Sequence, residues 1–243
     1  MIKRINSIKF VCNGHLEIDE VIKEQIIEEW NKIKKEHSFL HENQILIVTN
    51  FINKDDNYTI ELKETSFSNY MYAKKNGDIR ALFSGAYILT SDQYMVCVLN
   101  HYYENELKFE MLNLVGGMAD AVDIVDNEYQ SDKCLKREMK EELGFDLDDE
   151  NWHIQLKYLK YPSQLESPVN YAIGTIYEIK TSYTKEQLIK MFNENRHDFE
   201  VKELIFFSKD NYKEIYNYEQ KKQYMPELFE LIYNYNKGTN ENE

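Results

Sequence analysis

Arg137-Glu138-Met139-Lys140-Glu141-Glu142-Leu143-Gly144-Phe145 is the most informative run of residues in this chain. On a helix, Glu138, Glu141 and Glu142 stand at i, i+3 and i+4, on one face and within reach of a shared cation. Leu135, Met139 and Leu143 repeat every four residues and form an apolar stripe that packs on a sheet. The acids border that stripe, whereas Lys133, Lys136 and Lys140 lie on the far side. This puts the glutamates at the rim of a cleft. Three like charges gathered there need a cation or an arginine to offset them, and Arg137 is adjacent. Gly144 marks the helix stop, because the position after a helix often takes a left-handed backbone that glycine reaches cheaply.

Working outward, residues 108–114 form an apolar strand that feeds Gly116-Gly117, and the acidic helix is expected over 129–143. A strand, a glycine turn and a carboxylate helix make a cradle for magnesium and a phosphorylated ligand. Before it, strands at 83–89 and 94–99 flank Thr90-Ser91-Asp92-Gln93 as a hairpin. After it, strands at 154–159 and 170–179 are separated by a proline-bounded loop, 162–168. Thr184 and Gln187 resemble a capping box opening a helix to about residue 192, and 200–207 is a further strand. Pro226 suits the first turn of a last helix striped by Leu228, Leu231, Ile232 and Tyr235.

At the other end, Asp19 caps a helix to about residue 37, with Ile22, Ile26, Trp30 and Ile33 on one face. Strands at 45–51 and 58–62 follow, around the polar turn 53–57. The expected organisation is an N-terminal α+β subdomain (1–78), a main domain (79–237) and a mobile tail (238–243). Asn76-Gly77-Asp78 is the boundary. Mixed strands with interleaved helices predict an α/β fold, an α/β/α sandwich around a mixed β-sheet.

Composition narrows the function. With 243 residues, 42% of them hydrophobic, the chain can bury a substantial core. Its charge of −14 argues against a broad nucleic-acid surface, which needs clustered Lys and Arg. Cys12, Cys97 and Cys134 are widely spaced and form no CxxC pair, so neither a zinc knuckle nor a disulfide framework is indicated. No apolar run approaches a membrane span and the start has no signal-peptide pattern, so a cytoplasmic setting is expected. The six histidines show no ligand spacing, and the nineteen tyrosines, scattered through strands and helices, suit packing better than base stacking. Cys134 is expected to be a half-buried small residue, not a nucleophile.

The segment Arg-Glu-Met-x-Glu-Glu-x-Gly-Phe resembles the second half of the Nudix box, G-x5-E-x7-R-E-U-x-E-E-x-G-U, where U is bulky and apolar. Gly116-Gly117 is similar to the glycine pair that opens it. The resemblance implies a Nudix-type sandwich and a hydrolase that cleaves a nucleoside diphosphate linked to another group, using Mg2+ or Mn2+. It implies Glu138, Glu141 and Glu142 as metal carboxylates, the Gly116 carbonyl as a further ligand, and Arg137 as the group that orients the acids. The segment 199–207 resembles the late Nudix strand that supplies a glutamate base. Glu203 is the choice there, with Glu200 and Glu166 as the other candidates. The N-terminal run, with Trp30, Phe39-Leu40 and 62–67, is similar to Nudix proteins that hydrolyse UDP-sugars, so a nucleotide-sugar is the first-choice substrate. Relatives are often dimers, so a homodimer is compatible with the resemblance.

The first half of the box departs from the pattern. Nineteen residues separate Gly117 from Arg137 where the pattern has thirteen, a loop longer by about six. The position eight before Arg137, a glutamate in the pattern, holds Tyr129, with Glu128 one place away. That departure motivates two alternatives: a catalytically silent nucleotide-binding sensor of the same fold, and a pyrophosphohydrolase of RNA 5′ ends. The plainest structural reading makes the glutamates the solvated face of a charged helix.

Overall fold

The computed structural model describes residues 2–36, 40–76, 80–104, 107–160, 172–196 and 200–208, with residues 214, 223 and 224. The N-terminal elements are β1 (Ile2–Arg4), β2 (Ser7–His15), α1 (Glu20–Glu36), β3 (Gln44–Lys54), β4 (Asn57–Ser66) and α2 (Phe67–Asn76). The next group is β5 (Arg80–Leu89), β6 (Tyr94–Glu104), β7 (Leu107–Asn113) and β8 (Val115–Met118). A 3-10 turn (Ala121–Asp123), β9 (Ile124–Val125) and β10 (Glu128–Tyr129) lead into α3 (Ser131–Leu143). β11 (Trp152–Lys160), β12 (Ile173–Thr181), α4 (Lys185–Asn195), β13 (Val201–Ser208) and β14 (Gln223–Tyr224) complete the described elements. The result is a mixed α/β fold, the class expected from the sequence.

The main path of the sheet runs β1-β11-β12-β5-β3-β4-β2. β12 lies parallel to β5 and β2 parallel to β4. The β5–β6 hairpin pairs Leu89 with Met95 and Ile88 with Val96, and beyond that pair it opens into a fork. β7 pairs antiparallel with β6, and β8 pairs antiparallel with β5. The chain therefore reverses at Leu114, running up one arm of the fork and back down the other. This V-shaped turn carries Gly116 and Gly117 down the inner edge of β5.

Alternation on these strands divides the core. On one face, Ala86, Ile88, Val96, Val98, Val115 and Val201 pack beneath Leu135, Met139 and Leu143 of α3 and Leu188 and Phe192 of α4. On the other, Tyr87, Leu89, Met95, Cys97, Leu112 and Leu114 meet Ile2, Tyr158 and Ile176. A third cluster joins Phe10, Leu46, Tyr58, Ile60 and Leu62 of the N-terminal strands to Leu82, Tyr129, Cys134 and Leu159. The N-terminal strands are tied to the rest of the sheet by β1–β11 and β3–β5 pairing and by the Leu46 N–H donating to the Ala119 carbonyl at 2.9 Å.

Local chemistry explains the element ends. The Val21 N–H donates to Asp19 Oδ1 at 2.9 Å, opening α1 where the sequence places its cap. Asp55 and Asp56 take positive φ (53° and 59°) in the two-residue turn between β3 and β4. Thr184 and Gln187 form both bonds of the capping box. α2, the short strand β1 and the nine-residue β2 have no counterpart among the elements expected from the sequence. α2 begins on Ser66, whose hydroxyl accepts from the Asn69 N–H at 3.2 Å. The expected boundary residues Gly77 and Asp78, the 162–168 loop with Glu166, the helix after Pro226 and the tail lie outside the described residues. Among the described residues, no helix is long and apolar enough to cross a membrane.

Candidate active site

α3 holds the site through its buried stripe. Cys134, Leu135, Met139 and Leu143 are fully buried, Cys134 more deeply than expected. Gly144 ends the helix with φ 70°, its N–H donating to the Lys140 carbonyl, while the Phe145 N–H reaches back to Met139. Lys136 and Lys140 turn away as anticipated, pairing with Asp148 at 2.7 Å and Asp146 at 3.2 Å, but Lys133 lies on the Arg137 side and donates to the carbonyl of Val122, the neighbour of Asp123.

Arg137 is the centre of the charge network. Its Nη2 donates to Asp123 Oδ2 at 2.9 Å and its Nε to Asp123 Oδ1 at 3.3 Å, a two-point grip on one carboxylate. Its Nη1 donates to Glu138 at 2.7 Å and to Glu141 at 3.2 Å. Asp123 has no exposed side-chain surface, and the Arg137 side chain is 24% exposed. Burial works against the arginine's charge, but Asp123 and Glu138 outweigh it and hold the guanidinium protonated well above its ordinary range. Arg137 thus bonds Asp123 and two of the acids at once.

Asp123 is the residue that the sequence reading missed, and it corrects the account of the box. Glu128, the candidate for supporting Arg137, is exposed. Tyr129 is buried, its hydroxyl 2.9 Å from Ser84 and its ring edge-on to Phe10. Counted forward from Gly117, Asp123 follows after five residues, which is the first spacing of the box with aspartate in place of glutamate. The extra residues lie after it. β9 and β10 form a hairpin turned on Asp126 and Asn127, both at positive φ. The Gln130 N–H donates to the Asp123 carbonyl at 3.0 Å across its base. Residues 124–129 account for the added length, and without them Asp123 would stand eight positions before Arg137. Counting back from Arg137 ran into the hairpin; counting forward from Gly117 was the signal that could have found the acid.

The glycine turn meets the acids directly. A Cβ on Gly117 would lie 2.2 Å from Glu138 Cδ, so the carboxylate lies directly against the Gly117 backbone and would have to shift for any larger residue. Gly116 has φ 133°, and a Cβ there would strike the Ser84 carbonyl at 2.1 Å. Glu138 is confined: its carboxyl is pushed up to about 7, first by burial and further by Glu141 and Glu200, with Arg137 opposing. Glu142 is buried and Glu141 is 58% exposed in its side chain. Among the described residues, no three His, Cys, Asp or Glu side chains form a ready-made metal cage. Arg137 draws Glu138 and Glu141 onto itself instead.

Of the late glutamates, the structure brings Glu200 within electrostatic reach of Glu138. Glu203 is placed differently. It pairs with Leu99 after an irregularity in β13, while Val201 pairs with Asn100 and Leu204 with Val98. Val201 and Leu204 pack under α3, so the register puts Glu203 on the opposite face of the sheet.

No family model matches the chain, and no curated protein does. Solved structures do. A Nudix hydrolase from Nitrosomonas europaea matches 65% of this chain and 90% of its own, at 14% identity and a TM-score of 0.43. The Nudix domain of Shewanella oneidensis NrtR, complexed with ADP-ribose, matches 69% and 95% at 13% identity and 0.43. The MutT protein of Methanosarcina mazei matches 66% and 95% at 10% identity and 0.41. A functional reading therefore rests on the residues of the site and not on these likenesses. Proteins named as Nudix hydrolases are thus among the solved structures similar to this chain, and theirs is the family that the segment 137–145 resembles.

Proposed function

We propose that this chain is a divalent-metal-dependent pyrophosphohydrolase that cleaves a nucleoside diphosphate linked to another moiety, with nucleotide-sugars the first choice. The observation that carries the reading is Arg137 gripped by buried Asp123 while it holds Glu138 against Gly117. This constellation supports reading both halves of the box as present, with Asp123 standing in for the acid whose absence motivated a silent sensor.

The donor set fits a hard cation. Glu138, Glu141 and Glu142 offer carboxylate oxygens and the Gly116 carbonyl a fourth donor, an all-oxygen set of the kind Mg2+ and Mn2+ take. These residues would hold Mg2+ or Mn2+, which when bound neutralises the diphosphate and acidifies an attacking water. The chain itself supplies order. Asp123 fixes Arg137, Arg137 fixes the two acids, and Glu200, whose charge reaches Glu138, is our choice for the group that takes a proton from water. At a net charge of −14, the protein field repels an anionic substrate, which makes a cation at this rim more necessary.

The test is a phosphate-release screen over UDP-sugars, ADP-ribose, dinucleotides, dNTPs and capped RNA with Mg2+ and Mn2+. Turnover of a nucleoside diphosphate derivative that collapses in Glu141→Gln, in Glu142→Gln and in EDTA is expected. Full activity in those variants or without metal would sink the reading, and turnover confined to capped RNA would transfer it to RNA ends.

A further inference from the structure

Taking the hydrolase reading as its basis, we infer that Asn100 determines specificity, its buried carboxamide oxygen accepting a hydrogen bond from an N–H on the edge of the substrate's nucleobase. The placement follows from register. Ser84 stands four residues before Ile88, and Asn100 four residues after Val96. Ile88 pairs with Val96, and Ser84 pairs with Gly117. Asn100 and Gly117 are therefore level with one another on the two sides of the fork. Asn100 also pairs with Val201, whose side chain packs under α3, so its own side chain projects to the α3 face. Glu200, the neighbour of Val201, is the residue whose charge reaches Glu138. Asn100 thus belongs to the acidic helix's side of the sheet and to its catalytic end.

What marks Asn100 is an unanswered group. The residue is 4% exposed, and among the described residues its Oδ1 accepts no hydrogen bond. Buried polar atoms are almost always bonded, because an unbonded one keeps the full cost of leaving water. No packing requirement calls for an amide there: Val98 and Val201 beside it are wholly buried and apolar. A second buried carboxamide, Asn113, pairs with Val98 and projects on the same face, diagonal to the first.

The chemistry selects the occupant. A carboxamide oxygen repels phosphate, so the group it serves is not the diphosphate. Planar amides beside apolar walls match a flat ring that carries alternating donors and acceptors on its edge, the way Asn and Gln read adenine. A site built to bond an N–H rejects the analogue that lacks it.

The experiment measures binding of ADP, GDP, UDP and CDP by calorimetry, and hydrolysis of matching diphosphate derivatives, for wild type, Asn100→Leu and Asn100→Asp. Wild type should prefer one base by about tenfold, and Asn100→Leu should reduce that ratio to about twofold. The loss should fall on KM more than on kcat. Asn100→Asp, which keeps an acceptor, should retain the preference. Asn100→Leu should also melt no lower than wild type, since it removes a buried unbonded amide. If that variant fails to fold, Asn100→Ser enters the same comparison. Base preference lost with no anhydride cleaved by any form would overturn the hydrolase reading and leave this inference standing. Cleavage with an unchanged base ratio in Asn100→Leu would overturn this inference alone. A preference that follows the sugar instead of the base, or no nucleotide binding by wild type, would overturn it too.

Discussion

At the scale of single residues, Asp123 and Glu138 are opposite solutions to burying a carboxylate. Asp123 has no exposed surface and a two-point bond to Arg137. Asp123→Ala would leave the guanidinium half-buried without its main partner. It should destabilise the protein by about 3 kcal/mol in urea melts and abolish most turnover, because Arg137 no longer orders Glu138 and Glu141. Asp123→Glu, the residue of the general pattern, should keep a large share of both. Glu138 lacks such full compensation. Its carboxyl rises from 4.5 to about 7, so the native state keeps a proton that the unfolded chain has already released. In metal-free protein, stability should therefore fall as pH rises through that interval, by up to about 3 kcal/mol. Denaturant titrations in EDTA at about pH 5 and about pH 7.5 check it, and Glu138→Gln should flatten the difference. The glutamate stripe was legible because helical spacing alone puts residues 138, 141 and 142 together. Asp123 was not, since a partner across a loop leaves no periodic trace, and only its distance from Gly117 betrayed it.

Among the elements, those with their own chemistry were legible and those defined by tertiary contact were not. The Thr184 box, the Asp19 cap and the apolar stripe of α3 each follow from local bonding or periodicity. The fork of β5 and β6, filled by the V of β7 and β8, depends on long-range pairing that no window of sequence contains. The same is true of Glu203, whose face was decided by an irregularity in β13. The ends of α3 and α4 supply a test of how these elements lock together. Gly144 is left-handed at φ 70°, and a Cβ there would come within 2.5 Å of the Asn195 backbone at the end of α4. Gly144→Ala combines backbone strain with a clash against main chain. It should cost about 2 kcal/mol or more in urea unfolding, and an ordinary surface substitution such as Lys190→Ala should cost far less.

For the molecule as a whole, charge is the dominant global property. A net charge of −14 destabilises the compact state through self-repulsion, and the acidic rim of α3 concentrates part of it. Monovalent salt should raise the melting temperature modestly by screening. Mg2+ at matched ionic strength should raise it further, as expected of a ligand bound only by the native state. That extra increment should vanish in Glu138→Gln and Glu142→Gln; an equal shift in wild type and variants would mean that magnesium acts only as salt. The hairpin of residues 124–129 has a consequence of a different kind. It leaves the path of the chain at Asp123 and returns to it at Gln130, two residues already bonded across its base. Its tip, Asp126-Asn127, faces solvent, while Tyr129 roots it against Phe10 of β2. The insertion is therefore a handle. A fluorophore or peptide tag grafted at the tip would sit close to the Asp123–Arg137 pair without entering it.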